Sequence, residues 1–195
     1  MQHYLTILQS TMRRRWDCQA LSDYRGTTFT FAEIATEIYR LHAIFEQVGV
    51  KPGDRVALAA KNSARWAIGF LAAVTYRAVA VPILSDFAIA DIQSLVDHSE
   101  SVVLFTESRM WDEMSSDNMP KLSATISSED FSALYCRDCD AQTLVAKATG
   151  SMPKVFPAQK REQITDYTFG DMDDLAVINY TSGTTGFSKG VITPA

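Results

Sequence analysis

The residues best equipped for chemistry stand together in "YTSGTTGFSKGV", residues 180–191. Gly183, Gly186 and Gly190 alternate with Thr181, Ser182, Thr184, Thr185 and Ser188, and Lys189 is the single cation. A loop that holds phosphates has three needs. Glycines let the backbone approach closely and adopt unusual angles. Free amides and hydroxyls supply donors aimed at the oxygens. A lysine offsets the charge as a point cation. This stretch meets all three. It is not the Walker A form, which places Gly directly before Lys and Ser or Thr directly after it, opening a helix. Here Ser188 precedes Lys189 and Gly190 follows. The flanks are apolar and strand-like, which predicts a strand–loop–strand element. A plain hairpin tip rich in Ser, Thr and Gly is the competing reading.

The rest of the chain must position that loop. Hydrophobic residues make up 47% of the 195 and charged residues 21%, enough apolar material for a sizeable core. The net charge of −5 leaves no electrostatic footprint for nucleic acid. The one basic run, Arg13-Arg14-Arg15, reads as the solvated end of a first helix. The N-terminus has no secretory signal pattern, and no apolar run approaches the about 20 residues of a transmembrane helix. Three cysteines, an odd number, argue against a disulfide framework and for a reducing cytoplasm, with a peripheral membrane position left open. Cys136 and Cys139 form a C-x-x-C without further metal ligands nearby in sequence. It reads as incidental spacing in a polar connection.

The periodicity predicts an α/β fold, a parallel βαβ sheet layered with helices. Residues 4–16 suggest a helix packing Leu5, Ile7, Leu8 and Met12. A short hairpin should turn at Arg25-Gly26. Thr30-Phe31-Ala32-Glu33 is a capping box. It opens a helix with Phe31, Ile34, Ile38, Leu41 and Phe45 on one face and Gly49 as its stop. Strands follow at 55–60, 78–84 and 101–106, separated by helices that start at Asn62-Ser63, Asp86 and Glu107. Ile126 begins another short strand. From 127 to 171 the pattern weakens, with one helix near 141–148. Order returns with strands at 175–180 and 190–193. Trp66 reads as core, and His42 and His98 as packed or solvated side chains. Asp171, Asp173 and Asp174 read as a surface linker.

Residues 180–191 resemble the phosphate-loop signature of adenylate-forming (AMP-binding) enzymes: acyl-CoA synthetases, adenylation domains of peptide synthetases and luciferases. Residues 27–84 resemble the early N-terminal domain of the same enzymes. Within them Asn62-Ser63-Ala64-Arg65-Trp66 and Ala80-Val81-Pro82-Ile83 are most similar to long-chain fatty acyl-CoA ligases. The family usually carries Pro where this chain has Ser188, so a looser approach to Lys189 is expected.

The resemblance implies a partial N-terminal domain of the acyl-CoA synthetase-like fold over 1–195. It divides into a βαβ core at 1–126, an irregular excursion at 127–171 and a strand–phosphate loop–strand at 172–195. It implies that a carboxylic acid, ATP, Mg²⁺ and CoA take part, with acyl-adenylate, AMP and pyrophosphate formed on the way to acyl-CoA. Thr181, Ser182, Gly183, Thr184, Thr185, Gly186, Lys189 and Gly190 would hold the phosphates, and Thr184 would touch Mg²⁺. No catalytic residue is assigned, since the family's other motifs lie beyond the positions present. The chain is therefore expected to be a fragment, inactive alone, with an uncovered sheet edge that favours a homodimer. Two other readings stand beside this one: a non-catalytic nucleotide-binding or interaction module derived from the ligase fold, and an unrelated nucleotide-binding protein with a similar loop.

Overall fold

The computed structural model describes residues 3–167, 170–171, 173–181 and 189–194. The first helix, α1 (Tyr4–Arg14), buries Leu5, Gln9 and Met12. Ile7, expected inward, is 55% exposed. Gln9 takes the inward place because its amide donates to the Thr165 carbonyl at 2.7 Å. Arg13 is drawn in the same direction, its Nε donating to Thr165 Oγ1 at 2.9 Å, so only part of the basic run is a solvated helix end. A two-stranded antiparallel hairpin follows, β1 (Gln19–Ser22) and β2 (Thr28–Thr30).

Helix α2 (Phe31–Gln47) starts at the expected capping box. Thr30 Oγ1 accepts from the Glu33 amide at 3.3 Å, and Glu33 Oε2 accepts from the Thr30 amide at 2.8 Å. Ile34, Ile38, Leu41 and Phe45 are buried, as the stripe demanded. Gly49 ends the helix with φ +78°, a backbone state that costs glycine little.

The sheet is built by β3 (Arg55–Ala59), β4 (Val79–Pro82), β5 (Ser101–Thr106), β6 (Ala124–Ser127), β7 (Ala133–Cys136), β8 (Leu175–Thr181) and β9 (Lys189–Pro194). Their order is β7-β6-β5-β3-β4-β8-β9. The inner pairs are parallel. Only the outer pairs, β6 with β7 and β8 with β9, are antiparallel. The strand-to-strand crossovers run through α3 (Ala64–Thr75) and α4 (Ile89–His98).

Side chains sort by the period of two. Val56 and Leu58 of β3, Ala80 of β4, and Val103 and Phe105 of β5 join the core shared with α2 and α3. Ala57, Ala59, Val81 and Leu104 point into a second core with Ile92, Leu95 and Val96 of α4. The sheet is covered on both faces, as its continuously apolar strands require.

Three local expectations are corrected. The helix after β4 begins at Ile89, not near Asp86, because residues 83–88 are spent on a loop over the end of the sheet. The helix expected over 107–114 is the single turn α5 (Ser108–Trp111). The weakly patterned region holds the expected helix, α6 (Ala141–Thr149), packed against α2, and more order besides: β7 and the short α7 (Arg161–Ile164).

Cys136 and Cys139 are also not incidental. They form a disulfide, with Cα atoms 5.3 Å apart, in the strand-to-helix turn between β7 and α6. Chain direction reverses there, which brings the two sulfurs together. The pairing removes the cysteine count as an argument for a reducing compartment. Among the described residues no helix is long and apolar enough to cross a membrane.

His42 joins α2 to α3. Its Nε2 lies 3.1 Å from the Ala72 carbonyl and 3.0 Å from Thr75 Oγ1. Burial pushes its pKa down to about 4, against a smaller opposing pull from the Ala72 carbonyl. The unfolded chain therefore binds this proton first on acidification. Between pH 6.5 and about 4 the unfolded state holds more protons than the native one, so stability falls as pH falls through that window. The His42→Asn variant should lose about 3 kcal/mol less than the parent protein over this range. Urea unfolding at matched pH values measures the difference.

Candidate functional site

The topology defines where a ligand should sit. The connection from β3 through α3 runs over one face of the sheet, and that from β4 through α4 runs over the other. The two loops that leave β3 and β4 thus part company at the carboxyl ends of neighbouring parallel strands. Such a switch point opens a crevice that helices do not cover.

The crevice is present, with a volume of about 490 Å³. Its walls are Lys61 and Asn62 after β3, residues 83–86 after β4, Trp66 on α3, and Asn179 and Tyr180 on β8. Ser63 fixes one wall, since its hydroxyl accepts from the Trp66 amide at 3.0 Å and caps α3. That positions Trp66, which is half-buried and stacked on Phe70 with ring centroids 5.7 Å apart. Trp66 is therefore a cavity wall as much as a core residue. Its indole was expected inside because the helix face is apolar; the same face ends at the crevice mouth.

Strand β8 brings the start of the sequence-predicted stretch, Tyr180, to this place. It pairs in parallel with β4 through Ala80 and Val177 and runs on past that point. β9 returns beside it, with Asn179 opposite Val191, Tyr180 opposite Gly190 and Thr181 opposite Lys189. The flanks expected from the sequence are thus strands on both sides. Thr181 ends one, and Lys189 and Gly190 begin the other. Ser182, Gly183, Thr184, Thr185 and Gly186, with Phe187 and Ser188, lie outside the described residues.

Gly190 has a visible reason. A Cβ there would stand 3.3 Å from Ile178 Cγ2 and 3.6 Å from the Tyr180 ring. Ile178 is the tight neighbour, while the Tyr180 ring would be in ordinary contact. On the far side the Tyr180 hydroxyl is 2.8 Å from His98 Nδ1. Partial burial pushes the Tyr180 phenol up, opposed in part by the Ser99 hydroxyl.

Sequence reasoning expected the strands that flank residues 182–188 and missed the crevice wall. Lys61, Asp86 and Asn179 carry no motif, and Asn62 entered only as a helix start and as part of the Asn62-Ser63-Ala64-Arg65-Trp66 likeness. The alternation of strands and helices contained the signal, but only the spatial order of the strands turns it into a switch point. The acidic run before β8 supports the strand rather than a metal: Asp174 pairs with Arg77 at 3.3 Å and accepts from the Asp171 amide at 3.1 Å. Among the described residues no group of His, Cys, Asp or Glu could hold a metal ion.

A family model described as AMP-binding enzyme matches residues 8–195. The chain belongs to the AMP-binding enzyme family. Members similar to it include the probable acyl-activating enzyme 16, chloroplastic, of Arabidopsis thaliana, 29% identical over 85% of this chain and 24% of that protein. The 3-oxocholest-4-en-26-oate–CoA ligase of Rhodococcus rhodochrous is 25% identical over 86% of this chain and 28% of its own length.

Among solved structures the fold resembles the N-terminal domain of FACL13 from Mycobacterium tuberculosis, with a TM-score of 0.71 and 22% identity over 100% of this chain and 44% of that one. It also resembles the anthranilate CoA ligase AuaEII in complex with anthranoyl-AMP, with a TM-score of 0.76 and 19% identity over 99% of this chain and 34% of that one. At such identities the structural likeness establishes the fold, that of an N-terminal part of adenylate-forming enzymes. The chain spans about a quarter of the length of the curated AMP-binding relatives.

The geometry makes one local prediction. Ser63→Ala removes the cap of α3 and should cost about 1 kcal/mol in urea unfolding. Because Trp66 rides on that first turn, its fluorescence spectrum should shift under native conditions as well.

Proposed function

We propose that this chain supplies the polyphosphate-holding part of an acid–thiol ligase. A carboxylate attacks the α-phosphorus of ATP; the acyl-adenylate forms and pyrophosphate leaves. The thiol of CoA then attacks the acyl carbon, and AMP departs. Transfers of this kind depend on positioning and charge stabilisation more than on covalent help from the protein.

In this reading Lys189 neutralises the β- and γ-phosphates and the departing pyrophosphate. Thr181, Ser182, Thr184 and Thr185, with the amides of Gly183 and Gly186, donate to the oxygens. Gly190 keeps the return strand close to Tyr180. Mg²⁺ would accompany ATP, with Thr184 as the hydroxyl beside it; the ion adds charge neutralisation where the phosphates are crowded.

One observation carries the reading. Thr181 and Lys189 are paired neighbours, so the glycine- and hydroxyl-rich residues between them start and end at one point, beside the switch-point crevice. Names of relatives give further support, since those of the matched proteins include ligases that join acids to CoA. For the acid we favour a long-chain fatty acid, on the likeness of residues 27–84. Aryl and steroid acids, for which relatives are named, belong in the same screen.

A cytoplasmic location is proposed from the use of ATP and CoA, not from the cysteines, two of which are paired. The 195 residues alone are proposed not to turn over, since they span only about a quarter of those relatives' length. The chain is also proposed to self-associate through β9, an edge strand on which Val191 and Ile192 are exposed. Size-exclusion chromatography with light scattering checks that last point.

The deciding test is ATP binding by calorimetry, with ATP–pyrophosphate exchange over a panel of carboxylic acids as the activity readout. Lys189→Ala should weaken ATP binding by roughly ten- to a hundred-fold, the range for a lost charge-assisted hydrogen bond. Binding of adenosine should not change. Equal ATP affinity in the variant and the parent protein would remove Lys189 from the site.

A further inference from the structure

A second cavity, of about 140 Å³, opens between α2, α6, the first turn of α3 and the turn that joins β6 to β7. It shares no lining residue with the crevice at the ends of β3 and β4. Its floor is apolar: Phe29, Leu41 and Ile44 are buried, and Val145 of α6 closes one side. Phe131 completes it. This residue is 6% exposed and holds φ +62°, a left-handed state that a bulky side chain rarely adopts. Its ring meets Phe105 edge to face with centroids 6.2 Å apart, and its amide donates to the Ser127 carbonyl at 3.0 Å. Strained backbone of this kind persists only where its surroundings enforce it, and it gathers where ligands are gripped.

Four charged side chains line the same space, and they are unequally bonded. Both carboxylates are engaged. Glu37 Oε1 accepts from Arg40 Nη1 at 3.0 Å. Asp130 Oδ1 accepts from the Ser132 amide at 3.0 Å and from the Ser132 hydroxyl at 2.7 Å. The guanidiniums keep donors in reserve. Arg40 Nη2 donates to the Pro153 carbonyl at 2.7 Å, while the buried Nε has no partner among the described residues. The Arg65 guanidinium lies over the Phe29 ring at 5.3 Å and forms no hydrogen bond among the described residues. Burial pushes the Glu37 carboxyl up, opposed first by Arg40 and then by Arg65, so both cations are felt inside the cavity.

The unused capacity is therefore donor capacity above an apolar floor. A carboxylate suits it, because two oxygens match the paired N–H groups of a guanidinium. An apolar cavity of about 150 Å³ takes one benzene-sized body. We propose that this cavity binds a small monocarboxylate with a compact apolar body: the body rests on Phe29, Ile44 and Phe131, and the carboxylate takes Arg65 and the Nε of Arg40. Glu37 and Asp130 restrict the ligand to a single negative charge, since a dianion would meet both. This binding does not depend on ATP or on Lys189.

The experiment is an NMR titration of the methyl-labelled 195-residue chain with sodium benzoate, followed at Leu41, Ile44 and Val145. Saturable shifts are expected at all three, with a Kd of about 1 mM, ordinary for so small a ligand. Benzylamine, a cation of the same shape, and phthalate, a dianion, should bind at least about ten-fold more weakly. Arg65→Gln should weaken benzoate about ten-fold or more. Arg65→Lys keeps the charge and loses the fork, so its affinity should fall between the two. Val145→Phe fills the space and should abolish binding; if it fails to fold, the two Arg65 variants still decide.

Absence of saturable shifts at these residues up to about twenty times the expected Kd overturns the proposal. So does a titration that moves Ala60 and Trp66 instead, because the ligand then occupies the crevice. Full benzoate affinity in Arg65→Gln overturns it too, as does benzylamine or phthalate binding as tightly as benzoate: each means that an apolar body is taken without recognition of one carboxylate.

Discussion

The parallel pairing of β8 with β4 is the contact on which the site depends. Before it, the chain has already laid down β3, β4 and β5 and covered both faces with helices. The long segment after β6 then returns to the free side of β4. Ala80 and Val177 mark the contact. Through it the strand ends at Thr181 and Lys189 reach the carboxyl ends of the parallel strands, where backbone and helix geometry leave a crevice open.

That placement explains a division of labour within the structure. The inner strands are apolar and buried on both faces. Val56, Leu58, Val103 and Phe105 face one core; Ala57, Ala59 and Leu104 face the other. The outer hairpin carries polar residues and is secured at a few points, among them Tyr180 and Arg77 with Asp174.

Much of the body was legible in the residues. The capping box at Thr30 and Glu33, the stop at Gly49, the cap at Ser63 and the strands at Val79, Ser101 and Leu175 all rest on local chemistry, which acts within one turn or one pleat. The excursion was less legible. Its strand β7 joins an edge and buries little, so its pattern is faint. The Cys136–Cys139 bond was missed for a related reason: its meaning depends on a strand ending at Cys136, and that strand was not expected. Ile7 was placed inward by spacing, yet a buried hydrogen bond from Gln9 outweighed it.

The sequence by itself determined the class of the fold and the strands that frame residues 182–188. Those follow from periodicity. Strand order was decided only in the tertiary structure. That order put the loop beside the β3–β4 switch point, made Trp66 a wall, and brought His98 within reach of Tyr180. Local preference is written in neighbours along the chain; the meeting of residues 82 positions apart is written only in how the sheet assembles.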